Sequence, residues 1–414
     1  MIYTTVLVVG GGATGAGIAR DLALRGIDVT LVDRDGLDSG TTDRSHGLLH
    51  SGARYAETDR PSAEESIQEN RILKDIAGEA VRETGGLFVQ LAEDDPEYFE
   101  KKREACEDIG IPTTVVDGEE VREIAPGLPD SVERAFRVPD AITYPARLVA
   151  MNAADAREHG ASIYPHAPVE GMTVEDGRIT TVSVGGMVND EIDPEYVVNA
   201  AGPWAGKIGE MAGVDINMFL SRGAMTAVEY DDLDVVLNRA REPSNADIVV
   251  PHDGEVILGT TSIPIDDPDD YETEDAEIEE LRTKSAELLP AVEDAPERRT
   301  WWGVRPLYAP DDADGDGRNV SRDFFRLDHA EDGVENFVSA VGGKLMTYRQ
   351  MAELTSDLVA DWLGVDAGSQ TAERKLPGAD DPEQIDQFVE QFRAEGIADA
   401  NVVSTGNTPS SADD

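Results

Sequence analysis

Residues 5–15 read Thr5-Val6-Leu7-Val8-Val9-Gly10-Gly11-Gly12-Ala13-Thr14-Gly15. The apolar, β-branched opening predicts one short buried strand. The G-x-G-x-x-G that follows has a physical job at each glycine. Gly10 permits a tight turn, Gly12 lets backbone approach a pyrophosphate, and Gly15 lets a helix pack closely on the strand. A helix over Ala16 to Arg25 then presents its N-terminal N–H groups, among them those near Ala13 and Thr14, to phosphate oxygens. Val29-Thr30-Leu31-Val32 predicts a second strand, and Asp33 at its end can accept the hydroxyls of a ribose. An acid there repels a 2′-phosphate, so the spacing points to FAD or NAD and away from NADP.

Working outward, Gly40 to Tyr55 is dense in small, hydroxyl and cationic residues and is too long for a plain strand-to-helix turn. Such a segment can run beneath a second phosphate and turn toward a reactive ring. Near the other end, Phe337 to Arg349 reads as strand, glycine turn (Gly342-Gly343) and helix, the helix continuing to about Leu363. Between these blocks, Tyr196 to Gly202 is an apolar strand ending in small residues, which lets backbone lie against a ligand.

These blocks together resemble the FAD-dependent glycerol-3-phosphate dehydrogenases, within them the catalytic large subunit of the anaerobic enzyme. The residues that carry the likeness are the glycine motif with Ile18-Ala19-Arg20-Asp21-Leu22, then Gly40-Thr41-Thr42 with Arg44-Ser45, Leu48-Leu49-His50-Ser51-Gly52-Ala53-Arg54-Tyr55, and Gly342-Gly343-Lys344-Leu345. It spans roughly residues 4–378. The resemblance implies FAD contacts at Thr41, Thr42, Arg44, Ser45, Val169, Ala201, Gly202, Gly303, Gly342, Gly343, Lys344 and Leu345, beside Gly10, Gly12, Ala13, Thr14, Gly15 and Asp33. It implies glycerol 3-phosphate as substrate and electron transfer to a membrane quinone through partner subunits. Alternatives are oxidation of another small anion, such as an amino acid or 2-hydroxy acid, and a subunit that only relays electrons.

A phosphorylated secondary alcohol needs cations for its phosphate and a group to take a proton, while a flavin does the redox step. Arg305 and Arg322 are expected at the phosphate or the developing oxyanion, Arg54 and Tyr55 complete the pocket, and Lys344 faces the reduced flavin. His50 is the favoured proton acceptor because imidazole titrates near neutrality, with His46 second. Asp312 to Asp323 has the outline of a calcium loop, but Pro306 and Pro310 leave no helix before it, and a solvated acidic loop is the better reading; no metal is expected.

The expected architecture is α/β. A discontinuous Rossmann-like FAD domain takes residues 1–80, 146–208 and 330–366, with a β-meander from Gly171 to Gly185. A second α+β substrate domain on an antiparallel sheet takes 81–145 and 209–329. Residues 367–414 are expected to be an acidic linker or disordered tail.

Composition bounds the rest. The 414 residues carry 85 acidic and 35 basic side chains, a formal charge of −50, and only seven of the cations are lysine. Concentrated salt screens such repulsion over a few ångströms, so the chain reads as suited to a saline cytoplasm. No basic stripe exists to meet nucleic acid. The single cysteine, Cys106, excludes a disulfide framework. A strand beginning by Thr5 leaves no room for a signal peptide, and no apolar run approaches the ~20 residues of a membrane span, so any membrane association is expected to be peripheral. The resemblance implies a further C-terminal domain with paired cysteines, whereas this sequence stops after the flavoprotein part with Cys106 alone; either the chain is a truncated form or electrons leave through a partner, and the docking mode stays open.

Overall fold

The computed structural model describes residues 1–309 and 323–393. Strand β1 (Ile2–Val9) buries its last four residues and lies at the centre of the first sheet. Helix α1 (Ala13–Leu24) follows it, then strand β2 (Val29–Val32), parallel to β1 with Val6 opposite Val29 and Val9 opposite Val32. Ser162–Tyr164 extends the sheet in parallel beyond β2. On the other side Asp190–Asn199 pairs in parallel with β1, and Phe337–Gly342 pairs in parallel with Val197 to Asn199. The hairpin Val169–Glu175/Arg178–Val184 joins the opposite half of Asp190–Asn199, forming the meander.

Short apolar strands buried on both sides need helices to cover them. Here α1, Pro145–Glu158 and Tyr348–Leu363 do so, with Ile18, Leu22, Leu148, Met151 and Val359 in one continuous core. Gly17 allows the closest approach, since a Cβ there would sit 3.0 Å from the Tyr348 ring.

Among the described residues the second sheet has nine strands. Its long members, Met218–Glu229 and Glu297–Tyr308, pair antiparallel over nearly their whole length. Antiparallel pairing holds throughout this sheet apart from Val236–Arg239 against Gly86–Leu91, which is parallel. A small sheet of Leu48–Leu49, Ala141–Thr143 and Val81–Arg82 links the two parts.

Several expectations need correction. Residues 367–393 are not a linker: Pro382–Arg393 is a helix packed on Pro145–Glu158, and Leu376, Ile385, Val389 and Phe392 are buried in the first core. Acidic composition hid the Ile385, Val389, Phe392 stripe at helical spacing. Phe324–Asp328, assigned from sequence to the substrate domain, pairs with Phe337–Gly342 in the first sheet. The helix Gly118–Ile124 is started by Asp117, whose carboxylate accepts the Glu119 and Glu120 N–H groups at 3.0 Å. Helix α1 begins at Ala13 rather than Ala16 because Gly12 is its N-cap. The acidic loop from Asp312 and the residue Arg322 lie outside the described residues.

Candidate active site

A cavity of about 530 Å³ runs from the glycine turn to the second sheet. Its walls contain Gly10, Gly12, Ala13, Thr14, Asp33, Thr41, Thr42, Arg44, Ser45, His50, Arg54, Tyr55, Val169, Ala201, Gly202, Gly303, Arg305, Gly342, Gly343, Lys344 and Leu345. Sequence positions more than 300 residues apart thus meet in one place. Gly15 lies just behind the wall, where a Cβ would stand 1.8 Å from the Gly10 carbonyl oxygen. Gly10 has φ +108° and would press a Cβ to 2.5 Å from the Ala200 oxygen. No side chain other than glycine's fits these two positions.

The glycine turn is braced from two directions. Asp33 accepts Gly11 N–H at 2.5 Å and Asp35 N–H at 2.8 Å, and burial pushes its carboxyl up to about 6. Each oxygen keeps a further lone pair for a ribose hydroxyl. Thr42 Oγ1 accepts Ala13 N–H at 3.1 Å. Thr41 instead donates its hydroxyl to the Val304 carbonyl at 2.6 Å, tying this loop to Glu297–Tyr308. The Arg44 carbonyl accepts Trp301 Nε1–H at 3.2 Å, and a Cβ on Gly303 would sit 2.9 Å from that carbonyl oxygen. Arg44 and Gly303 therefore let loop and strand close on each other.

The cationic end lies where Gly40–Tyr55 meets the second sheet. Arg305 Nη2 donates to Thr260 Oγ1 at 2.5 Å and to the Thr261 carbonyl at 2.9 Å, and glycine at 223 leaves the space its guanidinium fills. Lys344 Nζ stands 5.3 Å from the Tyr55 ring centroid, within cation–π range. Tyr55 and His50 have their ring centroids 5.1 Å apart. Behind the loop, Lys102 pairs with Glu57 at 2.6 Å, both nearly fully buried, and reaches the Ala53 and Arg54 carbonyls at 3.3 and 3.4 Å.

The two cavity histidines share one geometry. His50 Nδ1 accepts Gly52 N–H at 3.2 Å, and His46 Nδ1 accepts Leu48 N–H at 3.1 Å. A nitrogen that accepts has no proton, so each neutral ring carries its proton on Nε2 and is a donor there. Burial, with Lys344 and Arg54 nearby, holds His50 well below its ordinary value. Burial, with Arg54 and Arg305 nearby, holds His46 down at about 3. The expected role of His50 as proton acceptor is therefore opposed by this geometry. Protonation would fall on Nδ1, where a second N–H would face that of Gly52.

Sequence reasoning missed Thr260, which accepts from Arg305, and Asn238, which accepts from Arg54, as well as Asp140 and Lys102, which bond the backbone at Ser51 and at Ala53 and Arg54; none of the four carries a motif. Among the described residues no cluster of His, Cys, Asp and Glu could hold a metal ion.

The sequence profile of the FAD dependent oxidoreductase family matches residues 5–357, and the chain belongs to that family. It is 49% identical to the A1 chain of the anaerobic glycerol-3-phosphate dehydrogenase of Haloferax volcanii, over 94% of this chain and 69% of that protein. It is 44% identical to the corresponding chain of the anaerobic glycerol-3-phosphate dehydrogenase of Escherichia coli, over 92% of this chain and 71% of that one. The glycerol-3-phosphate dehydrogenase of Bacillus halodurans, solved with FAD, has the same fold, with TM-score 0.69 at 24% identity over 91% of this chain and 68% of that one. FAD suits the cavity seen here. The side-chain-free glycine turn at a helix N-terminus accepts a pyrophosphate, and Asp33 stands beside it for a ribose.

Proposed function

We propose that this chain oxidises sn-glycerol 3-phosphate to dihydroxyacetone phosphate and passes the electrons through partner subunits toward a membrane quinone. The observation that carries the reading is the meeting of Arg54, Arg305, Lys344 and two neutral histidines at one end of a cavity whose other end is a dinucleotide turn. The names of the Haloferax and Escherichia relatives support the substrate, and both are named as subunits, which supports partner chains. No helix among the described residues is long and apolar enough to cross a membrane, so contact with a quinone pool falls to a partner or a peripheral surface.

Bound FAD supplies the acceptor for the hydride that leaves C2. This chain's residues do the rest. The two guanidiniums hold the phosphate dianion with charge-assisted bonds; Arg322 is the third cation assigned to this task. His46 and His50 present Nε2–H donors that orient the substrate oxygens. The C2 hydroxyl proton passes to solvent water entering the cavity, and Lys344 and His50 Nε2–H stabilise the negative charge this leaves on the C2 oxygen until the hydride departs and the ketone forms. Tyr55 keeps the Lys344 ammonium in place.

The test is an anaerobic titration of purified protein in molar KCl. Glycerol 3-phosphate is expected to bleach the flavin absorbance, and glycine or lactate is expected to leave it. A flavin that any of the other anions reduces faster refutes the substrate, and one that no substrate reduces refutes the enzyme reading.

A further inference from the structure

Arg54 is reached from behind by a buried chain of hydrogen bonds whose direction is fixed. Arg54 Nη1–H donates to Asn238 Oδ1 at 3.4 Å. A guanidinium has donors only, so this assigns the Asn238 oxygen to Arg54 and the amide nitrogen to the other side. There Asn238 Nδ2–H donates to Asp140 Oδ2 at 3.4 Å. The second Asp140 oxygen, Oδ1, accepts Ser51 N–H at 2.6 Å. Asp140 and Asn238 are 2% and 0% exposed.

The fold makes room for this arrangement. Asn238 comes from Val236–Arg239, and the partner of Val236 in the neighbouring strand is Gly86. A Cβ on Gly86 would sit 2.4 Å from Asp140 Oδ2. A buried carboxylate is costly unless its oxygens are satisfied. Here one oxygen grips the turn between His50 and Arg54, and the other, through one amide, faces the cation at the end of that turn.

We propose that Asp140 and Asn238 are positioning residues that aim Arg54 at the substrate phosphate and hold the turn bearing His50 and Arg54 in one register. The proposal rests on the reading of Arg54 as a phosphate ligand. Its content is the polarity of the chain: carboxylate, then amide, then guanidinium.

That polarity gives a reciprocal test. In D140N the new amide keeps Ser51 N–H on its oxygen and turns its NH2 toward the Asn238 NH2. Asn238 relieves this by flipping, which points a donor at Arg54 and pushes the guanidinium away. In N238D two carboxylates face each other. In D140N/N238D the order is restored with the charge moved one link: the amide at 140 donates to the carboxylate at 238, which accepts from Arg54.

The experiment is anaerobic stopped-flow flavin reduction in molar KCl, run on protein of measured FAD content and thermal midpoint. Each single variant is expected to raise the apparent Kd for glycerol 3-phosphate about tenfold or more, the scale of one charge-assisted bond. The limiting rate of reduction should stay within about threefold in these variants. The double variant should return to within about threefold of the parent on both. Should D140N fail to fold, N238L breaks the link to Arg54 while keeping the Asp140–Ser51 bond, and the same rise in Kd is expected of it.

Single variants with parental Kd, or a double variant no better than the singles, overturn the proposal. R54Q separates the two readings. If R54Q leaves Kd unchanged, the phosphate role of Arg54 fails and takes the proposal with it. If R54Q raises Kd while the chain variants do not, only the positioning role fails.

Discussion

Replacing His50 separates donor from base. Its Nδ1 accepts Gly52 N–H at 3.2 Å, so the neutral ring offers Nε2–H to the cavity. Glutamine can put an amide N–H near the position of Nε2 but has no basic nitrogen. Alanine offers neither. An oriented hydrogen bond to a group gaining charge is worth about 1.5–3 kcal/mol, which corresponds to roughly 10–150-fold in rate. A general base is worth about 10²–10⁴-fold. In single-turnover flavin reduction by saturating glycerol 3-phosphate, H50A is therefore expected to fall by roughly 10–150-fold. H50Q should stay within about fivefold of the parent. H50N, whose amide reaches only the Nδ1 position, should behave like H50A. The pH dependence has a matching sign. A depressed folded-state value keeps the ring neutral at and above its ordinary value of 6.5, so the parent rate should show no ionisation of this group from about pH 6 to 8. The reasoning is refuted if H50Q is as slow as H50A, since only loss of a proton acceptor distinguishes glutamine from histidine here.

Two further outcomes follow from buried groups. His252 donates Nε2–H to the His46 carbonyl at 3.1 Å, and burial holds its folded-state pKa down at about 4; its stabilising contribution is complete above the unfolded value near 6.5 and is lost as pH falls toward 4, by up to ~1.4 kcal/mol per pH unit. H252Q keeps the donor without the titration, so denaturant midpoints at pH 7 and pH 5 should diverge less for H252Q than for the parent, and equal divergence would rule the contribution out. Ending the chain after Asp366 removes Leu376, Ile385, Val389 and Phe392 from the first core; at about 1.5–3 kcal/mol per large side chain the loss rivals the ~5–15 kcal/mol stability of a whole domain, so such a protein should be recovered unfolded or aggregated, and a stable, FAD-loaded product would contradict the packing described.

What the sequence disclosed and what it hid differ for a physical reason. The glycine turn was legible because Gly10 and Gly15 answer steric demands, a positive φ and a Cβ clash, that are local and leave a fixed spacing. The cavity-lining run from Thr41 to Tyr55 was legible because polar residues in a stretch too long for a turn must face a ligand. Arg305 and Lys344 required the family likeness, since an arginine in a chain of charge −50 is as readily explained by a surface ion pair. Many arginines here are used that way, as Arg60 with Glu64 and Arg103 with Glu107 show. Asp140 and Asn238 were illegible because nothing local constrains them. Their roles come from parallel pairing of Val236–Arg239 with Gly86–Leu91, strands about 150 residues apart in sequence, in the parallel pair of an otherwise antiparallel sheet. The helix Pro382–Arg393 was misread for the opposite reason. Its Ile385, Val389 and Phe392 do repeat at helical spacing, but acidic neighbours dominate a composition average, and a composition average cannot see a face. In so acidic a chain, periodicity of the apolar residues is the more reliable guide to order, because a charged helix face costs little where concentrated salt screens it.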